Sequence, residues 1–234
     1  MFSRSLAAAA ALFVLAMGPV RAEGAAEATA AYQRGDYPRA LRLYQDMAAR
    51  GEPLAFPILG LMYASGQGAA RDYGQAAHWY RLAADRGVAV SQVALAGLYF
   101  NGRGVPRDVD EAIRLYRLAA EQGDASAQFA LGSIYETGQG VGPDHAEAMR
   151  WYRRAAAAGN PSARYSLAGM YETGRGAARD DVRAYVWLDF AASTGWKTAV
   201  RAREKLAKRM TAAQMVQARQ IYLSCLESDF ESCD

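Results

Sequence analysis

The sequence is poor in the residues that carry most enzyme chemistry. Its 234 residues include two cysteines and two histidines. His78 and His145 are isolated, whereas a zinc site needs three or four clustered ligands. Neither Ser-x-x-Lys nor Gly-x-Ser-x-Gly occurs, and no cysteine has a convincing histidine partner. We therefore predict no catalytic residue, no metal site and no cofactor.

Long apolar runs are also missing, except for one near the N-terminus. It covers residues 6–17 and follows Arg4, and Val20-Arg21-Ala22 then offers small residues of the type that a signal peptidase reads. A run of about a dozen residues is too short to cross ~30 Å of hydrocarbon as a helix. Residues 1–22 are therefore predicted to be a signal peptide cleaved near Ala22, which places the protein in the periplasm or outside the cell. A retained N-terminal anchor is the alternative.

A net excess of charge of either sign is nearly absent from the predicted mature chain. The 27 basic residues less Arg4 and Arg21 leave 25, against 24 acidic residues. This balance argues against nucleic acid or another bulk polyanion as a partner. The three lysines (Lys197, Lys205 and Lys208) are confined to the C-terminal region, where a solvated outer face is the simpler interpretation than a binding patch.

The two cysteines, Cys225 and Cys233, lie close together near the C-terminus. In a secreted chain such a pair predicts a disulfide, which would contribute ~2–3 kcal/mol by closing a short loop. A metal site or a redox-active pair is the alternative, although redox pairs are usually Cys-x-x-Cys, which is absent.

Glycine, in contrast, is abundant and regularly spaced. A Gly-x-Gly motif recurs with a step of 36 residues, and each copy has a tyrosine before it and an aspartate after it at the same step. The first glycines are Gly66, Gly102, Gly138 and Gly174, the tyrosines are Tyr63, Tyr99, Tyr135 and Tyr171, and the aspartates are Asp72, Asp108, Asp144 and Asp180. A fixed period of this length predicts stacked copies of one small unit. A phosphate-binding loop is the alternative for Gly-x-Gly, but no Gly-Lys-Ser/Thr follows.

Each copy is predicted to be a helical hairpin. In residues 127–156, Ala127, Leu131 and Ile134 form one apolar stripe, Gly138 provides a tight elbow, and Asp144 caps a second helix. Glu147 is placed to complete a capping box. A shorter unit before the four full copies makes five hairpins in residues 23–195, and residues 196–234 are predicted to form capping helices.

The pattern Ala-x-x-x-Leu-Gly-x-Ile-Tyr-x-x-Gly-x-Gly-Val at 127–141, followed by Asp144, Ala148, Trp151-Tyr152 and Gly159, resembles the Sel1-like repeat. This family is similar to tetratricopeptide repeats but has a longer elbow. The resemblance implies an all-α, right-handed superhelical solenoid used for protein–protein contacts. It further suggests a bacterial envelope protein, and some members restrain a sensor kinase. Cysteine-rich members have been linked to β-lactam binding, but their repeated cysteine pairs are missing here.

Variable positions at the end of each first helix and in the elbow are predicted to line a groove for a protein or peptide partner. The candidates are Phe100, Arg103, Glu136, Gln139, Glu172 and Arg175. Phe100 is the best single anchor, because an aromatic at an otherwise polar or small position invites burial in a partner; local packing is the alternative.

A second column, on the second helices, contains Arg81, Arg117 and Arg153 at the 36-residue step, with Arg114 and Arg150 one turn earlier. It predicts a basic ridge on the convex side, or simply a solvated face. The leading functional hypothesis is an interaction scaffold or adaptor of the bacterial envelope. A cell-wall hydrolase or a β-lactam-binding protein is one alternative, and a structural assembly factor is another.

Overall fold

The computed structural model describes residues 19–228 together with residues 230 and 233. Within these residues the regular structure is all helical. The twelve helices are α1 Pro19–Gln33, α2 Tyr37–Ala49, α3 Ala55–Ser65, α4 Tyr73–Ala84, α5 Ala89–Asn101, α6 Val109–Glu121, α7 Ala125–Thr137, α8 His145–Ala157, α9 Pro161–Thr173, α10 Asp181–Ala192, α11 Lys197–Ala207 and α12 Ala212–Glu227. Residues 1–18 of the predicted signal peptide lie outside the described residues.

Helices that are consecutive in sequence pack against each other as helical hairpins. The chain divides into two compact units, one up to residue 115 and the other from residue 116. In the first unit α1 packs on α2 and α3 on α4, and α4 also contacts α5. In the second unit α7 packs on α8 and α9 on α10, and α10 contacts both α11 and α12. The predicted all-α class and its hairpins are confirmed.

The elbows follow the predicted design. Gly138 ends α7 with φ of 69°, and its N–H donates to the carbonyl oxygen of Ile134. The backbone N–H of Asp144 donates to the carbonyl oxygen of Tyr135 at 2.8 Å, which closes the loop. The Asp144 carboxylate then caps α8 by accepting from the N–H of Glu147. Equivalent backbone bonds close the other elbows, from Asp72 to Tyr63, from Asp108 to Tyr99 and from Asp180 to Tyr171.

The predicted capping boxes are only partly correct. The Glu147 carboxylate does not turn back to Asp144; it accepts from the indole N–H of Trp151 and from Arg150, both at 2.8 Å. Better-aligned donors on its own helix therefore take both oxygens. In α12, however, Thr211 and Gln214 form a complete capping box.

The second elbow glycine has a role that turn geometry alone does not suggest. A Cβ on Gly104 would lie 2.4 Å from the carbonyl oxygen of Tyr73, at the start of the preceding second helix. A Cβ on Gly176 would lie 2.4 Å from the carbonyl oxygen of His145 in the same relation. The elbow thus packs backbone to backbone on the previous hairpin, where only glycine fits.

The core consists of alanines that allow close helix contact and of aromatics that fill the spaces between hairpins. The alanines at positions 76, 112, 148 and 184, which recur at the 36-residue step, are all fully buried. Gly132 is needed at one such crossing, because a Cβ there would lie 2.5 Å from the ring of Tyr152. Tyr152 and Trp187 are each 1% exposed.

The C-terminal segment closes the last hairpin with aromatic rings. Phe190 of α10 stacks on Tyr222 of α12 with ring centroids 4.3 Å apart, and Phe230 packs on both Phe190 and Trp187. Cys225 and Cys233 are buried and paired in a disulfide, as predicted, and Phe230 lies in the loop between them. The disulfide therefore holds the ring of Phe230 against Trp187 and Phe190 of the last hairpin.

Candidate interaction surface

The two acidic positions of the predicted groove are engaged inside the second unit. Tyr152 donates its hydroxyl to Oε2 of Glu136 at 2.8 Å, and Arg175 of the next hairpin approaches Oε1 at 3.1 Å. Burial, followed by the contact with the Glu136 carboxylate, raises the pKa of Tyr152 well above its usual value, so this phenol remains a donor. Glu172 pairs in the same way with Arg209 at 2.6 Å. Each acid thus joins one repeat to the following segment.

The basic and amide positions beside these acids remain more open. Gln139 and Arg175 are exposed in their elbows, and Arg175 Nε also donates to the hydroxyl of Thr173 at 3.0 Å. The structure therefore brings Glu136 and Arg175 together, as the groove hypothesis requires, but as an ion pair with each other. Among the four predicted positions of this unit, Gln139 is the one whose side chain forms no hydrogen bond or ion pair with the described residues.

In the first unit, Phe100 is half-buried rather than fully presented to solvent. The guanidinium of Arg107 lies 5.9 Å from the centre of its ring, and Arg107 Nε donates to the Phe100 carbonyl oxygen at 3.1 Å. Arg103 extends over the ring of Tyr73 at 5.7 Å. Local packing therefore accounts for much of the Phe100 surface, which is the alternative that the sequence left open for this residue.

The arginine column predicted as a basic ridge has a different role. Arg81, Arg117 and Arg153 each donate to the hydroxyl of a tyrosine eighteen residues later, on the first helix of the next hairpin: Tyr99, Tyr135 and Tyr171. Gln45 makes the same bond to Tyr63 at 2.8 Å. The column is thus a set of links between hairpins. One turn before Arg117 and Arg153, the charges of Arg114 and Arg150 are paired with Glu111 and Glu147. These pairs reduce the positive charge that a basic ridge would need.

Arg164 has no role in the sequence-based predictions, and it is half-buried in the fifth hairpin. The equivalent residues Gln92 and Gln128 donate their amides to Ala84 and Ala120, and Arg164 makes the same bond to Ala156. Its guanidinium also lies 5.4 Å from the ring centre of Phe190 and 5.1 Å from that of Phe230. Burial lowers the pKa of this arginine. Its guanidinium also donates to the Phe190 carbonyl oxygen at 3.4 Å, so carbonyl oxygens and ring faces surround it. The 36-residue register could have indicated this substitution.

The described part of the chain contains no cluster of three or more His, Cys, Asp or Glu side chains that could hold a metal ion. Among the same residues, no helix is both long enough and apolar enough to cross a bilayer. The predicted absence of catalytic, cofactor and metal residues stays a prediction.

The hairpins, the glycine elbows and the links between neighbours can now be compared with known proteins. A model of the Sel1 repeat matches residues 29–52, 58–88, 89–124, 125–160 and 161–195, which together exceed half of the chain. The chain belongs to the Sel1 repeat family. Sel1 repeat proteins generally serve as protein–protein interaction scaffolds.

Solved Sel1 structures agree with this assignment. A Sel1 repeat protein from Oxalobacter formigenes is 35% identical with a TM-score of 0.71, over 76% of this chain and 73% of the relative. A protective antigen of uropathogenic Escherichia coli with the same type of fold is 36% identical with a TM-score of 0.68, over 70% of this chain. This chain spans only 35% of that antigen's length.

A more distant Sel1 repeat protein from Klebsiella pneumoniae is 26% identical with a TM-score of 0.50, over 77% of this chain and 89% of the relative. No curated protein matches the chain. The fold class, an all-α repeat solenoid, is therefore established by both the helices and the relatives.

Proposed function

We propose that this Sel1 repeat protein is a preformed interaction scaffold of the bacterial envelope that binds a protein or peptide partner. The observation that carries the proposal is the set of links between neighbouring hairpins. Arg–Tyr bonds, the Glu136–Arg175 pair and the elbow glycines fix each hairpin on the previous one. A surface that is rigid before binding loses little conformational entropy when a partner docks.

The envelope location is supported by the N-terminal pattern and by the cysteine pair. Helix α1 begins at Pro19, and Ala25, Ala28 and Ala31 of this helix are buried. Cleavage after Ala22 would leave these three residues in the mature chain. A disulfide between Cys225 and Cys233 suits an oxidising compartment. The mass of protein purified from the periplasm should correspond to a chain starting at Glu23 with no free thiol; a full-length chain in the membrane fraction would contradict the proposal.

Site-specific photo-crosslinking in envelope extracts tests the scaffold itself. A photoreactive amino acid at exposed Gln139 should capture a protein partner, whereas one at exposed Ala157 on a second helix should not. Glu136 is unsuitable for this purpose, because its replacement would break the bonds to Tyr152 and Arg175. Equal capture at Gln139 and Ala157 would contradict the groove hypothesis, and turnover of a cell-wall fragment by purified protein without a stable partner would favour a hydrolase.

Restraint of a sensor kinase, which the family resemblance suggests, is a finer form of the same proposal. It predicts that the captured partner is the periplasmic domain of a membrane-bound kinase. A structural assembly factor would instead be captured together with several subunits of one envelope complex, so the identity of the captured proteins separates the two.

A further inference from the structure

The exposed face of α11, continued by Lys208 just after the helix end, has a net positive charge. Lys197, Arg201, Lys205 and Lys208 recur at steps of four, four and three residues, which places them on one side of the helix. All four are exposed, and within the described part of the chain none of them forms an ion pair. Glu204 is the single acid on the same side. The face therefore has an excess of three positive charges over about three helical turns.

The basic residues of this region that do have structural roles point elsewhere. Arg203 pairs with Asp189 of α10 at 2.5 Å, and Arg209 pairs with Glu172 of α9 at 2.6 Å. The apolar residues Ala199 and Leu206 face the protein interior. The four exposed cations thus contribute nothing to the packing of α11, and their mutual repulsion opposes the helix by a small amount.

An aromatic pair lies at the N-terminal end of the same face. Trp196 is 36% exposed and packs on Tyr165 with ring centroids 4.9 Å apart. Trp196 occupies the position at which Asp124 and Asn160 cap the first helices of the two preceding hairpins. It provides no cap for α11. A side chain that would stabilise the helix end is thus replaced by a partly exposed indole.

The 36-residue register connects this face to the first-helix surface of the second unit. Arg201 follows Phe129 and Tyr165 in one column, and Lys208 follows Glu136 and Glu172 in another. Because both glutamates are paired with arginines, they do not offset the cations of α11. The same helix surface therefore ends in a basic strip beside an aromatic pair.

We propose that the α11 face binds an acidic, extended segment of a partner protein, with an apolar side chain of that segment against Tyr165 and Trp196. This inference rests on the proposed scaffold role and names the chemistry of its partner. Four cations over ~16 Å match an extended peptide of about five residues with alternate acidic side chains. A membrane-binding helix would expose large apolar residues between its cations, whereas here Leu206 and Ala199 are buried and Val200 is half-buried.

The test uses the purified mature protein and a short fluorescent peptide of glutamates and leucines, compared with the same peptide in which glutamine replaces glutamate. We expect anisotropy to show binding of the acidic peptide only, weakening as salt is raised. Replacing Arg201 and Lys205 by glutamine should weaken binding about tenfold. Arg34→Gln with Arg42→Gln changes the net charge equally at exposed sites of the first unit and should leave binding unchanged within about twofold.

Two further variants separate the face from bulk charge. Glu204→Gln should tighten binding, and Trp196→Ala should weaken it even at high salt, where ion pairs are screened. Equal binding of the glutamine peptide, or equal loss in the two double variants, overturns the proposal. So does binding of duplex DNA or of phosphatidylglycerol vesicles in preference to the peptide. If the peptide fails to bind but Gln139 still captures a partner, the scaffold stands and only its acidic partner is refuted.

Discussion

At the scale of single residues, the bonds between hairpins use side chains that the sequence presents as surface. Arg117 and Tyr135 both lie on exposed or half-exposed helix faces, yet their side chains meet across the junction of two hairpins. A one-dimensional pattern shows that the arginines share a register. It does not show which neighbour they reach, because that depends on how one hairpin stacks on the next.

Removal of the Tyr135 hydroxyl tests the energetic value of this link. Tyr135→Phe should reduce the free energy of unfolding by about 0.5–1.5 kcal/mol, because the Arg117 donor loses its acceptor while the ring packing is retained. Chemical denaturation gives the measurement. Tyr165→Phe is the matched control, since its hydroxyl has no hydrogen bond within the described structure, and a loss of the same size there would show that the link contributes nothing.

Gly132 and Gly169 form a second pair for comparison, because both lie inside first helices of the second unit. A Cβ on Gly132 would overlap the buried ring of Tyr152, whose hydroxyl is held by Glu136, whereas a Cβ on Gly169 meets open space. Gly132→Ala should therefore destabilise the protein by about 1–3 kcal/mol. Gly169→Ala should stabilise it by about 0.5–1 kcal/mol through helix propensity. Thermal unfolding of the two variants decides, and effects of the same sign would refute the packing argument.

At the scale of helices and elbows, the sequence predicts most of what the structure contains. Regular glycines and capping aspartates specify where helices stop and start, because both act on the local backbone. Helix α3 has Pro57 in its first turn, and it begins at Ala55 without a side-chain cap. The contact of Gly104 with Tyr73 could not be predicted in the same way, since it joins residues of different hairpins.

The elbow contact gives a prediction with a matched control in the same unit. Gly104 and Gly87 both have positive φ, of 71° and 80°, so alanine strains the backbone by about 1–2 kcal/mol at either position. Only at Gly104 would the new Cβ also collide with a neighbouring backbone, at 2.2 Å from the carbonyl carbon of Tyr73. Gly104→Ala should thus destabilise the protein clearly more than Gly87→Ala in denaturant titrations. Equal losses would mean that the second glycine serves the turn alone.

At the scale of the whole molecule, the groove hypothesis is the part that stacking changes most. Phe100, Glu136 and Glu172 share one position of the 36-residue repeat. Side-chain partners then give them unequal roles: Arg107 packs on Phe100, and arginines of following segments hold both glutamates. Among its described residues, the second unit instead has exposed cations without ion-pair partners on α11. The lysines among them are predicted from the sequence to lie on a solvated outer face.

A stacked array has one further property at this scale: its stability is built from neighbour to neighbour, so a lesion at one end should fade with distance. Replacing Cys225 and Cys233 by serine frees the loop that carries Phe230, which covers Trp187 and Phe190. We expect a loss of about 2–3 kcal/mol, seen as faster amide hydrogen exchange in α12 and α10. Exchange in α1–α4 should be unchanged, because in a repeat array the effect of a lesion passes only from neighbour to neighbour. Uniform acceleration throughout the chain would show a single cooperative body in place of an array, and unchanged exchange in α10 would show that Phe230 does not secure the last hairpin.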